Sequence, residues 1–154
     1  MRWTPALVAL LILTPAVGQA ASCTASATGI AFGTYVPSST SNSTGTVTIS
    51  CSSVMGGGGV NYTIALNAGV NSGGSFSNRR MSSGSSYLSY QLYTDAAYSQ
   101  VWGDGTGGTS TVSGTCSGSM GSCSSSKTVY GRIPAPQNPS PGSYSDTITV
   151  TVTY

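Results

Sequence analysis

The chain has 154 residues, with five Lys or Arg, three acidic residues (all Asp) and no His. A formal net charge of +2 gives no field able to gather nucleic acid or an anionic membrane. With no His and one Lys, Lys127, a nucleophilic side chain has almost nothing to activate it, so no enzyme is expected.

The N-terminus reads as a targeting segment. Arg2 precedes the apolar run Leu7–Leu13, Pro15 breaks it, and Gly18-Gln19-Ala20 places small residues at a cleavage site. This pattern predicts a secretory signal peptide over 1–20 and a mature domain over 21–154. The run is too short to span a bilayer, and no second one follows, so no transmembrane segment is predicted.

Strand signals then recur between turn-forming clusters. Ile30 and Phe32 alternate in "TGIAFGTY", Val47, Ile49 and Cys51 in "TGTVTISCS", and Tyr62, Ile64 and Leu66 in "VNYTIALNA". Leu88, Tyr90 and Leu92 alternate in "YLSYQLYT", and "YSQVWG" suggests a further short strand. Val129 and Ile133 flank Gly131 on one face of "KTVYGRIPA". The chain ends on the cleanest signal, "TITVTVTY": Ile148, Val150, Val152 and Tyr154 face one way, the intervening Thr residues the other. "SSTSNSTG", "MGGGG", "NSGGS", "GDGTGG" and "PQNPSPGS" read as loops. No segment has helical apolar spacing, so the fold class is all-β, with two sheets packed face to face.

Four cysteines in an exported chain imply two disulfides, with three connectivities open. The favoured pairing is Cys23–Cys51 with Cys116–Cys123, the second pair being close in sequence within a Gly/Ser-rich stretch. These spacings, without His, resemble no zinc pattern, so no metal is expected. Lipidation of Cys23 is disfavoured, because no large aliphatic residue stands three positions before it. Asp95 and Asp104 flank a turn, and Asp146 is expected to satisfy backbone or to pair with Arg132. Arg79-Arg80 reads as a solvated loop. Trp102 is expected to support the fold, a surface contact being the secondary reading. The sequons at Asn42 and Asn61 read as chance matches.

"CTASATGIAFGTY", "QLYTDAAYSQVWGDGT", "TVYGRIPA" and "PGSYSDTITVTVTY" together resemble the spore coat protein U domain family, the subunits of archaic chaperone–usher pili such as the Csu pili. The resemblance covers essentially the whole of 21–154. It implies an immunoglobulin-like β-sandwich of six to seven strands that lacks its final strand and accepts a donor strand instead. The donor-strand groove would be formed by Ile30, Phe32, Ile148, Val150, Val152 and Tyr154. Implied partners are a periplasmic chaperone, an outer-membrane usher and other pilus subunits met by strand exchange; no cofactor is implied. Implied localisation is the periplasm, then the cell surface. Only Ala21 and Ser22 would precede Cys23, too few for a donor strand. The expectation is therefore a non-enzymatic subunit, accessory or tip-like, that accepts a strand without giving one. The alternatives are a secreted coat protein and a small surface- or glycan-binding module.

Overall fold

The computed structural model describes residues 21–54, 59–117 and 121–154. The predicted signal peptide and most of "MGGGG" lie outside the described residues. Nine strands form among those described: β1 Ser22–Thr28, β2 Ser41–Val54, β3 Val60–Leu66, β4 Arg80–Ser83, β5 Ser86–Ser89, β6 Gln91–Tyr93, β7 Val112–Cys116, β8 Gly121–Ile133 and β9 Val150–Thr153. The one helical element among them is a 3-10 turn, Phe76–Asn78. One sheet has the order β1-β2-β8-β6, the other β7-β3-β9, and β4-β5 form a hairpin; every pair is antiparallel. The molecule is thus an all-β, immunoglobulin-like sandwich.

Alternation in the sequence becomes alternation in burial. Val47, Ile49 and Cys51 of β2, Tyr62, Ile64 and Leu66 of β3, and Val129 and Ile133 of β8 all turn into one core. Leu88, Tyr90 and Leu92 keep a single inward row, as expected, but not one strand. β5 pairs with β4, β6 pairs with β8, and Tyr90 is the point at which the chain changes sheet. There its amide donates to the carbonyl of Arg79 at 3.1 Å. A period of two survives such a hand-over, so the sequence pattern does not reveal it.

Two expectations need correction, and two strands are new. "TGIAFGTY" is not the first strand: β1 ends at Thr28, and the chain then leaves the ladder. Gly33 takes a left-handed conformation at φ 69°, and the carbonyls of Ala31 and Phe32 accept from the hydroxyls of Ser43 and Ser41 instead of from strand amides. "YSQVWG" makes only single bridges, Tyr93 to Val101 and Trp102 to Ser110. β4 and β7 were unexpected, because their Ser- and Gly-rich sequences lack an apolar row.

Both favoured disulfides are present. Cys23 and Cys51 are direct register partners in β1 and β2. Cys116–Cys123 joins β7 of one sheet to β8 of the other. The sulfurs of Cys51, Cys116 and Cys123 lie within 4.8 Å of one another, but each is committed to a disulfide, which leaves no thiolate for a metal.

Trp102 is fully buried, and its indole N–H donates to the carbonyl of Ile64 at 3.1 Å. That burial excludes the surface-contact reading. Trp102→Ala should lower unfolding free energy by about 3–5 kcal/mol, as for a buried aromatic truncated to Ala. Trp102→Phe should cost about 1–3 kcal/mol, from the unpaired Ile64 carbonyl. Denaturant unfolding of the two variants checks both values.

Candidate strand-docking cleft

The two sheets expose the edges of β1 and β9, and a cleft lies between them. Along the C-terminal segment Tyr144, Asp146, Ile148, Val150 and Val152 are half-buried, while Ser145, Thr147, Thr149, Thr151 and Thr153 are exposed. The odd-numbered residues bond into the molecule. Ser145 exchanges both backbone bonds with Ser82, the carbonyl of Thr147 accepts from the amide of Val70, and that of Thr149 accepts from Asn67. Successive residues of a strand point their peptide groups to opposite edges. The N–H and C=O groups of Asp146, Ile148, Val150 and Val152 therefore point to the open edge of β9 and the segment before it.

Facing this edge is a cavity of about 380 Å³, walled by Ala27, Ile30 and Phe32 on one side and by Ile148 and Val150 on the other, with Leu92 among its other lining residues. A wider hollow of about 690 Å³ shares Ile30, Phe32, Met81 and Tyr144 with it and runs on to Pro139–Ser143. Glycine makes the wall fit. A Cβ on Gly131 would come within 2.8 Å of the Phe32 ring, and one on Gly45 within 2.8 Å of the Ile30 side chain. The two apolar side chains rest directly on the backbones of β8 and β2.

Four of the expected groove residues, Ile30, Phe32, Ile148 and Val150, are brought together here. Val152 continues the inward row and packs against the core beyond the cavity. Tyr154 does not belong to the cleft: it is 56% exposed and lies in a shallow hollow with Tyr62, Thr63 and Gly114. The strand ends at Thr153, so alternation no longer governs the last side chain.

A polar cluster missed from the sequence stands at the cleft wall. Asp146 and Tyr90 both line the cavity. The Tyr90 hydroxyl donates to Asp146 Oδ2 at 2.7 Å, and Asp146 Oδ1 accepts from Asn71 Nδ2 at 2.9 Å and from the Asn71 amide at 3.3 Å. Asp146 thus holds Asn71 and Tyr90 and not Arg132, which instead donates to Asn42 and stacks on Tyr98. Gly69 is needed beside it, since a Cβ there would collide with Asp146 Oδ2. Nor is Arg79 a solvated loop residue. It is 1% exposed, with Nη1 donating to Gln91 at 2.8 Å and Nη2 to the carbonyl of Asn67 at 2.6 Å. Its Nε has no hydrogen-bond partner among the described residues. The usable signal was parity: Asp146 stands in phase with Ile148 and Val150.

Burial pulls the Arg79 guanidinium down to about 10, against the opposing influence of Tyr90 and Asp146. It stays charged at neutral pH. Burial, then the bond to Asp146, pushes the Tyr90 phenol well above the ordinary tyrosine range. Away from the cleft, Asp95 is held below the usual carboxylate range chiefly by the amide of Gln100, and Asp104 chiefly by the Thr106 hydroxyl; both are turn-formers, as expected.

The raised Tyr90 value has a defined sign. The folded state favours the protonated phenol, so its contribution is complete below about pH 10, the ordinary value, and is lost as pH rises further. Arg79 acts in the opposite sense, and more strongly in Tyr90→Phe, where the opposing influence of Tyr90 is gone, so the two effects separate the proteins in the same direction. Above about pH 10, unfolding free energy should therefore fall more steeply in wild type than in Tyr90→Phe, as read by chemical denaturation across that range.

No curated protein matches the sequence. The structure resembles the crystal structure of the CsuC-CsuE chaperone-tip adhesion subunit pre-assembly complex from the archaic chaperone-usher Csu pili of Acinetobacter baumannii. The TM-score is 0.56 at 25% identity, over 87% of this chain and 40% of that one. The chain thus spans less than half the length of that relative. The model of the Spore Coat Protein U domain matches residues 9–151. With that match running through nearly the whole sequence, the chain belongs to the Spore Coat Protein U domain family.

Proposed function

We propose that this protein is a non-enzymatic structural subunit of an archaic chaperone–usher pilus, and that its cleft accepts a donor β-strand. The observation that carries the reading is the open edge from Asp146 to Val152, which borders an apolar cavity walled on its far side by Ile30 and Phe32. An extended segment laid there would pair its backbone with the β9 edge and insert alternate side chains between the sheets, as in strand addition generally. Each large apolar side chain so buried contributes about 1.5–3 kcal/mol gross. A few of them amount to a sizeable part of the ~5–15 kcal/mol stability of a small domain.

The resemblance to a subunit captured with its chaperone supports a periplasmic chaperone as the first donor. A neighbouring subunit would replace it at an outer-membrane usher. That the relative is a tip subunit supports a tip-like or accessory position. Residues 1–20 would act as the export signal, delivering the domain over 21–154 to the periplasm and then to the cell surface.

A synthetic peptide with alternating apolar residues should stabilise the domain against heat. At a hundredfold excess over Kd the gain is about 2.7 kcal/mol. Val150→Asp should abolish it, because a carboxylate without a partner in a dry cleft is strongly disfavoured. Co-expression with a candidate periplasmic chaperone should yield a one-to-one complex with wild type only. A domain that is stable, monomeric and indifferent to every such peptide and chaperone would overturn the reading.

A further inference from the structure

The inward row of the C-terminal segment is not uniformly apolar. It reads Tyr144, Asp146, Ile148, Val150, Val152, with a carboxylate in second place. Beyond holding Asn71 and Tyr90, a carboxylate on this wall adds nothing to a cleft that simply stores apolar side chains. Ionised, it can accept about four hydrogen bonds. Three are supplied from within the chain, two from Asn71 to Oδ1 and one from Tyr90 to Oδ2. Oδ2 thus keeps acceptor capacity, and Asp146 lines the cavity.

The surroundings narrow what can meet it. Tyr90 is 7% exposed and already spends its proton on Asp146. Arg79, nearby and buried, balances the carboxylate charge. A cationic side chain inserted here would meet a carboxylate already in the field of the Arg79 charge, and an anionic one would meet the Asp146 charge itself. An apolar one would strip water from Oδ2 and give nothing back, which is the costly case for a buried acceptor. A short neutral hydroxyl satisfies Oδ2 and fits beside Ile148.

We infer that the strand filling this cleft carries Ser or Thr at the one position that meets Asp146, within an otherwise apolar inward row. The inference rests on reading the cleft as a strand acceptor. It names the partner by pattern. The hydroxyl residue stands two positions from the apolar residue that meets Ile148, and four from the one that meets Val150, since inward side chains recur every second residue. Asp146 is then a register mark. A strand shifted by two residues would place an apolar side chain on the carboxylate and its hydroxyl on Ile148.

The test is calorimetric titration of the wild-type domain with a peptide whose inward residues are all Val, and with the series in which each inward Val is replaced in turn by Thr. One replacement should tighten binding about tenfold, as a hydrogen bond to a charged acceptor allows, and the others should weaken it. Asp146→Leu should remove that preference while still binding the all-Val peptide. Asp146→Asn, which keeps a neutral acceptor beside Asn71, should reduce it. If the all-Val peptide binds wild type at least as tightly as every Thr peptide, or if the preference survives in both variants, the inference is wrong while the cleft remains a strand acceptor. If no peptide of the series binds, the acceptor reading itself falls and the inference with it. The wild-type scan decides the matter even where a variant fails to fold.

Discussion

A β-sheet ends in two strand edges, and each edge carries amide and carbonyl groups that must find water or a partner. In this sandwich the edges of β1 and β9 border the same cleft, and both are unpaired among the described residues. The chain leaves the ladder after Thr28, at the point where a longer first strand would have continued alongside β2. Ser41 and Ser43 then bind the departing carbonyls through their hydroxyls. Ile30 and Phe32 are thereby carried over the bare backbones of Gly45 and Gly131, forming one wall of the cleft without occupying its centre.

Away from the cavity the sandwich is tied covalently. Cys116–Cys123 ties the sheets together at β7 and β8, and Cys23–Cys51 ties β1 to β2 beside it. Trp102 plugs the interior and bonds to a carbonyl of β3. On the chain-entropy model, closing loops with separations of 28 and 7 residues stabilises by roughly 3.6 and 2.4 kcal/mol. These covalent ties hold β1 to β2 and one sheet to the other independently of how the edge of β9 is used.

Much of this was legible in the sequence, because a period of two is a direct record of which side chains face inward. The rows of β2, β3, β8 and the C-terminal segment could be read that way, and the disulfides from the even cysteine count and the short spacing of Cys116 and Cys123. Four of the six proposed groove residues meet in the cleft. Val152 lies beyond it, and Tyr154 departs where the strand stops. What could not be read was where an inward row changes its hydrogen-bonding partner, as at Tyr90, or leaves the ladder, as after Thr28. Those events depend on backbone partners far along the chain, and side-chain parity is blind to them. Arg79 was misread because composition marks an arginine pair in a polar stretch as solvated, whereas its acceptors are Gln91 and a carbonyl at Asn67.

The same parity that reveals the apolar row also contains its exception. In a chain so poor in charge, two of the few ionisable side chains, Arg79 and Asp146, are spent around Tyr90 beside the cleft. Replacing a buried ionic group by well-packed apolar residues is often neutral or stabilising, so stability alone is a weak reason for such a cluster. An apolar slot accepts any strand that alternates, in any register differing by two residues. On the proposed strand-acceptor reading, a carboxylate fixed by Asn71 and Tyr90 does not, because each wrong register strips water from the remaining lone pair of Oδ2 and offers no donor in its place. On that reading a single polar residue converts a permissive slot into one with a preferred alignment, and the energy difference that enforces the alignment comes from the penalty on the wrong strands more than from attraction to the right one.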